Sequence, residues 1–316
     1  MSSSKGHVVL PDEAMKEYGA DTTRLFMFIS SEPWQDFDWR SDEVENFRSK
    51  LETFHDRSIE MYDSGNERQM NNLDKYALSR LQDIIEKSTE GLEEFQTRKA
   101  GLNAFFELNK LINRYKRRAD EHNKGVVNEL IETQIKLLSP FVPHVCEELW
   151  SEIGKEGLVV DEEWPKPVEE LRDLEVENAQ KLVDRTIDDI RELEDIVDDY
   201  ERIRIIVADG WKRELFEELQ NVVEDRPEFG EAMGRLTSGR ESHAEKIKSY
   251  LQDYLEEPGN LPDKIFSVEK EREVLEENQG FIEDEFDSWV KVELESESSE
   301  KKASRAEPGR PAIVME

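Results

Sequence analysis

Between about Asp42 and Ile153 apolar residues return at helical spacing with few interruptions, which limits the chain to a mainly helical fold. Phe47, Leu51, Phe54, Ser58 and Met61 keep a period near that of an α-helix, and Leu73, Tyr76, Ala77, Leu81, Ile84, Ile85 and Leu92 continue it. Ser64-Gly65-Asn66 parts the two runs as a helix–helix turn. The spacing predicts a third helix over residues 97–123, a fourth over 126–138 and, past Pro140 and Pro143, a fifth over 143–153. Each such helix needs partners for its apolar stripe, and short turns make an antiparallel bundle the arrangement that supplies them.

The flanks read differently. Pro11-Asp12-Glu13 opens a short helix that Gly19 ends; Asp21 is placed to cap the next one, and residues 30–40 form a loop carrying Trp34, Phe37 and Trp39. Beyond the bundle, Gly and Pro cluster with Trp164 over residues 154–167, and residues 171–200 are intensely charged. Ile203-Arg204-Ile205-Ile206-Val207 is the first β-branched run; Trp289 to Leu294 alternates like a strand, and Ala312-Ile313-Val314 suits a last one. Helical patterns at 211–223, 228–236, 242–256 and 268–286 lie between, while residues 295–310 read as polar and flexible. The expected fold is mainly α: an antiparallel helical bundle over residues 42–153, a linker and charged helix over 154–200, and a small α+β domain over 201–316.

Charge narrows the class further. Acidic residues outnumber basic ones 76 to 43, a formal net charge of −33 spread along the whole chain. Self-repulsion of that size weakens a compact state, and at about 1 M salt a screening length of about 3 Å removes most of it. The composition therefore reads as an adaptation to a salt-rich cytoplasm, or else as an acidic protein with a basic partner. The one cysteine, Cys146, excludes an intrachain disulfide and suits a buried thiol better than a nucleophile. No apolar run reaches the roughly 18 residues of a membrane span, and the N-terminus lacks the blocks of a signal peptide, so a cytoplasmic chain with no membrane partner is expected.

A nucleic-acid binder is normally basic, so the question is whether a basic patch survives in this background. One does. Residues 97–118 hold Arg98, Lys99, Lys110, Arg114, Lys116, Arg117 and Arg118 against the single acid Glu107. At helical spacing Phe105, Leu108, Ile112, Tyr115 and Ala119 share one face, and Lys110, Arg114, Arg117 and Arg118 fall on the opposite one. A cationic stripe behind a core-facing stripe suits a helix laid along phosphates; a solvated face paired to acids elsewhere is the alternative.

Two further stretches carry specific spacing. Met1-Ser2-Ser3-Ser4-Lys5-Gly6-His7 is a small polar loop whose lysine and backbone N–H groups can cradle phosphate. It is followed by Tyr18-Gly19-Ala20-Asp21-Thr22, Arg24-Leu25-Phe26 and Asp36-Phe37-Asp38-Trp39. Pro140-Phe141-Val142-Pro143-His144-Val145-Cys146-Glu147-Glu148-Leu149-Trp150 sets two prolines at an inter-helix corner above packed Leu149 and Trp150. His144 beside Glu147 and Glu148 reads as a hydrogen-bonded structural histidine, and no metal site is expected.

These stretches together resemble the C-terminal portion of class I, archaeal-type leucyl-tRNA synthetases, from the signature loop through the anticodon-binding bundle to the C-terminal domain. The loop is similar to Lys-Met-Ser-Lys-Ser: Met1, Ser2 and Ser4 match, Ser3 takes the place of the second lysine, and Lys5 matches the lysine that follows. Residues 1–41 then correspond to the end of the catalytic domain, with Met1, Ser2, Ser3, Ser4 and Lys5 a remnant of the loop that handles ATP and its Mg. The resemblance implies leucine–tRNA ligase as the parent activity, joining leucine to tRNA(Leu) with ATP and releasing AMP and diphosphate. It assigns tRNA contact to Lys110, Arg114, Lys116, Arg117 and Arg118 and, in the tail, to Arg305 and Arg310. No His-x-Gly-His motif, nucleotide fold or complete catalytic set is present, so inactivity alone, with no cofactor of its own, is expected. A fragment of a synthetase, a tRNA-binding subunit needing a separate chain with the catalytic fold, and an acidic helical scaffold with no RNA role all remain open.

If −33 must be screened, the unfolding midpoint should climb steadily from about 0.1 M to about 2 M salt. A flat or falling series in a denaturation assay would end the salt-adaptation reading.

Overall fold

The computed structural model describes residues 9–197 and 199–316, and the chain divides into two compact units, Met1–Glu177 and Asn178–Glu316. In the first, α1 (Pro11–Tyr18) and α2 (Ala20–Ser30) precede α3 (Ser41–Met61) and α4 (Asn72–Glu93). One helical rod then runs as α5 (Thr97–Gly101), a π-helical stretch (Leu102–Glu107) and α6 (Leu108–Arg118); α7 (Lys124–Leu138) and α8 (Pro143–Glu152) complete the unit. The periodic residues meet as expected: Leu51, Phe54, Leu81, Ile84, Phe105, Leu108, Ile112, Leu130, Ile131, Leu149 and Trp150 share one core. Burying each such side chain is worth about 1.5–3 kcal/mol, so the stripes supply the main drive to close the bundle.

The expected third helix stops at Arg118, five residues early, because Asn123 is claimed by its neighbours. Its side chain accepts from Gly125 N at 3.1 Å and Val126 N at 3.3 Å, capping α7. The Ser64-Gly65-Asn66 break is tied to the same place: Asn66 N donates to His122 O at 3.0 Å, and Lys124 N donates to Asn66 O at 3.1 Å. Gly65 has φ +87°, and a Cβ there would lie 2.3 Å from His122 O, so glycine is required twice over.

The segment read as a linker is no free tether. Trp164 and Leu171 pack on the bundle core, the Trp164 indole donates to Thr89 Oγ1 at 2.9 Å, and Arg172 reaches Glu86 at 2.8 Å and Asp83. α9 (Leu174–Glu194) then crosses the division between units, and its Ala179, Leu182, Val183, Ile187 and Ile190 belong to the second core. Apolar allegiance thus changes within α9, near the 177/178 division between the units.

In the second unit β1 (Arg202–Val207) is central, parallel to β2 (Trp289–Leu294) and antiparallel to β3 (Ala312–Met315). α10 (Gly210–Asp225), α11 (Phe229–Thr237) and α12 (Ala244–Glu256) share a separate cluster through Leu215, Phe216, Leu236, Leu251 and Tyr254. α13 (Val268–Glu277) and α14 (Gln279–Phe286) cover Ile203, Ile205, Val290 and Val292 together with α9. The tail expected to be flexible closes the other face: Ala303 and Ala306 pack on Ile206 and Val314. Buried Lys212 secures it, donating to Ser304 O at 3.0 Å and Ala306 O at 2.5 Å and pairing with Glu295 at 2.7 Å. Among the described residues no helix is long and apolar enough to cross a membrane.

Glu271 is fully buried, bonded to Arg213 Nη2 at 2.7 Å and to Gly309 N at 3.2 Å, with Oε1 unsatisfied. Burial pushes its carboxyl up to about 7 against the pull of Arg213. A carboxyl raised on folding adds stability that is full below its unfolded value near 4.5 and lost as pH rises through 7. The stability difference between parent and Glu271→Gln should therefore shift by about 3 kcal/mol against the parent over that range. A pH-independent difference in denaturant titrations would mean that Arg213 keeps Glu271 charged throughout.

Candidate nucleic-acid interface

The basic helix of the sequence is α6, and its cations occupy graded positions. Lys110 is exposed and bonds Glu107 at 2.7 Å, and Arg117 is exposed as well. Lys116 is half-buried and meets Glu60 of α3 at 2.8 Å. Arg114 is half-buried with its guanidinium 4.8 Å from the Tyr76 ring centroid. Arg118, expected on the solvent stripe, is only 9% exposed. The reason is Leu111: it too is buried, which widens the core-facing arc until Arg118 sits on its margin. The solvent-facing cations of this helix are Lys110 and Arg117.

The register of α6 is set by a buried carboxylate the sequence did not single out. Asp74 has no exposed surface and accepts from Arg68 Nη1 at 2.6 Å, Arg68 Nη2 at 3.1 Å, Tyr115 Oη at 2.5 Å and Asn71 N at 2.8 Å. Tyr115 Oη in turn accepts from Asn123 N at 2.9 Å, and Arg68 also donates to Glu121 O at 2.8 Å. One carboxylate thus joins the start of α4, the end of α6 and the turn into α7. Its legible trace was Asn71-x-x-Asp74, a reciprocal cap at the head of α4. Burial and the Asp74 carboxylate both push the Tyr115 phenol well above its ordinary range, so it stays a donor.

The proline corner is held from a distance. Asp21, expected to cap its own helix, instead caps α8: it accepts from Val145 N at 2.8 Å and lies 2.8 Å from His144 Nδ1. Arg24 donates to Pro140 O at 2.7 Å and Phe141 O at 3.1 Å. His144 thus has the structural role read from the sequence, while Glu147 turns away to accept from Val159 N at 2.9 Å. Phe37 and Trp39 pack edge-on to Phe26 at 5.5 and 5.4 Å, as packing residues. Cys146 is buried, its thiol pushed up by desolvation. Among the described residues no cluster of His, Cys, Asp and Glu is placed to hold a metal ion.

The other expected sites separate. Met1, Ser2, Ser3, Ser4 and Lys5 lie outside the described residues. Arg305 is exposed, whereas Arg310 is engaged bidentately by Asp189 at 2.9 and 3.1 Å. Sequence reasoning missed the buried cations Lys212 and Arg213, whose neighbours Trp211 and Leu215 gave no local sign of them.

A family model described as the anticodon-binding domain of tRNA ligase matches residues 74–206. The whole chain is similar to leucine–tRNA ligases: 34% identical over 328 residues to that of Pyrococcus abyssi, covering 33% of it. Those of Methanopyrus kandleri and Archaeoglobus fulgidus are 32% and 34% identical over 336 and 324 residues, again with all of this chain and 34% and 32% of theirs. The chain spans about a third of the length of the curated relatives it matches.

Removing Asp74 strands a guanidinium and a phenol in the interior. Asp74→Ala should cost about 3–5 kcal/mol, and Tyr115→Phe about 1 kcal/mol. Chemical denaturation of the two variants checks this; a cost below about 1 kcal/mol for Asp74→Ala would show that water replaces the carboxylate.

Proposed function

We propose that this chain, which matches the C-terminal part of archaeal leucine–tRNA ligases over its whole length, holds tRNA for aminoacylation and is inactive without a catalytic nucleotide fold. In the complete enzyme the reaction joins leucine to tRNA(Leu) using ATP, bound with Mg partly by the loop containing Met1, Ser2, Ser3, Ser4 and Lys5. The observation that carries the reading is the cation-rich rod of α5 and α6, seven cations to one acid within a chain of net charge −33. Its exposed members are Arg98, Lys110 and Arg117, on a rod whose other side is packed into the bundle core. Phosphates of an RNA backbone are the ligand such a stripe suits, since they need charge and spacing rather than a fixed base. Arg114, Lys116 and Arg118 stand closer to the core and are assigned to shaping the stripe as well as charging it. Arg305 is an exposed cation of the second unit, and Arg310 is committed to Asp189. The salt-rich, cytoplasmic setting belongs to the same reading.

Lys110→Gln with Arg117→Gln tests it, because neither side chain is buried. The double variant should fold as the parent does and bind tRNA(Leu) more weakly. The slope of log affinity against log salt should fall by about 0.7–0.9 for each phosphate no longer neutralised, measured at the lowest salt where the chain is folded. Unchanged affinity and slope would leave this helix a solvated face.

A further inference from the structure

The segment after α8 returns along α4 as a strap pinned on either side of Lys166. Lys136 of α7 pairs with Glu162 at 3.2 Å, the Trp164 indole donates to Thr89 Oγ1 at 2.9 Å, and Val168 N donates to Gln82 Oε1 at 2.9 Å. Residues of this strap, α4 and α7 line a cleft of about 140 Å³. One water molecule needs roughly 10–15 Å³ of such space, so a small organic molecule has room. The walls at Ile85, Pro165, Val168 and Leu171 are apolar. Four charged groups also line the cleft, and two of them are already paired: Lys136 with Glu162, and Glu132 with Lys155 at 2.6 Å and the Tyr62 hydroxyl at 2.9 Å. The other two are Glu129 of α7 and Lys166 of the strap, both exposed. Among the described residues neither makes an ion pair, with each other or with any other group, and Glu129 is met only by the Thr133 hydroxyl at 3.5 Å.

We infer that this cleft binds an aliphatic α-amino acid as its zwitterion, the ammonium toward Glu129, the carboxylate toward Lys166 and the side chain on the apolar walls. One unpaired carboxylate and one unpaired ammonium on the same cleft are complementary to a dipolar molecule, and each end gains a charge-assisted hydrogen bond. The flexible stem of Lys166 lets its ammonium follow the ligand's carboxylate. A simple cation or anion would answer only one of the two charges, and an inorganic ion would leave the apolar walls wet. None of the cleft's residues belongs to α5 or α6, so binding here needs no RNA.

The test titrates the full chain with L-leucine, with isopentylamine, which lacks the carboxylate, and with 4-methylpentanoate, which lacks the ammonium. Calorimetry and amide NMR are run at the lowest salt where the chain is folded, because salt screens both ends. Leucine should bind once, with a Kd on the order of 1 mM, and should shift the signals of Gln82 and Thr133. Each single-charge analogue should bind about tenfold more weakly. Glu129→Gln and Lys166→Gln replace exposed side chains that hold no ion pair, so both variants should keep the parent's unfolding midpoint. Glu129→Gln should lose the preference for leucine over 4-methylpentanoate, and Lys166→Gln the preference for leucine over isopentylamine. The cleft is no amino-acid site if the parent shows no saturable leucine binding, if the shifts fall outside the cleft, or if either variant keeps the parent's affinity.

Discussion

A chain with 43 cations and 76 acids cannot pair every carboxylate, so where the cations go organises this structure. Exposed pairs such as Arg235–Glu231 and Arg272–Glu276 are worth about 0–1 kcal/mol and weaken further in salt. The interior pairs are different. Arg68–Asp74, Lys212–Glu295 and Arg213–Glu271 lie where water screens little, and removing one partner would leave a bare charge inside. Salt therefore relaxes repulsion at the surface without loosening these interior ties.

The ties act at the places where apolar packing is weakest. Asp74 gathers two turns and a helix end that carry few apolar residues of their own, and Lys212 holds a tail whose only core contributions are small alanines. Arg57 shows the cost of such placement: burial lowers its guanidinium to about 10, and while Nη2 donates to Gln134 Oε1 at 2.6 Å, its buried Nε finds no partner. Gln134 also donates to Ala104 O at 3.3 Å, inside the π-helical stretch where the ordinary helical ladder is interrupted. The stretch that leads into α6 is thus braced by a polar chain through the middle of the bundle.

The outward cations follow from this interior. α6 can present Lys110 and Arg117 because Leu108, Leu111, Ile112 and Tyr115 fix its opposite side, and because Asp74 fixes its end.

What was legible in the sequence was local and periodic. Helical spacing located the bundle helices, β-branched alternation located all three strands, and the proline corner announced a packed inter-helix joint. These patterns are read within a few residues, because side chains three or four apart share a helix face and those two apart share a sheet face. Pairings between distant residues were not legible. Asp21 looked like a cap for its own helix and caps α8, Arg118 looked exposed and is buried, and residues 295–310 looked loose yet close a sheet face. Spacing along the chain says which residues share a face. Which face meets a neighbour, and which charge finds a partner more than a hundred residues away, is decided only when the apolar stripes close on one another.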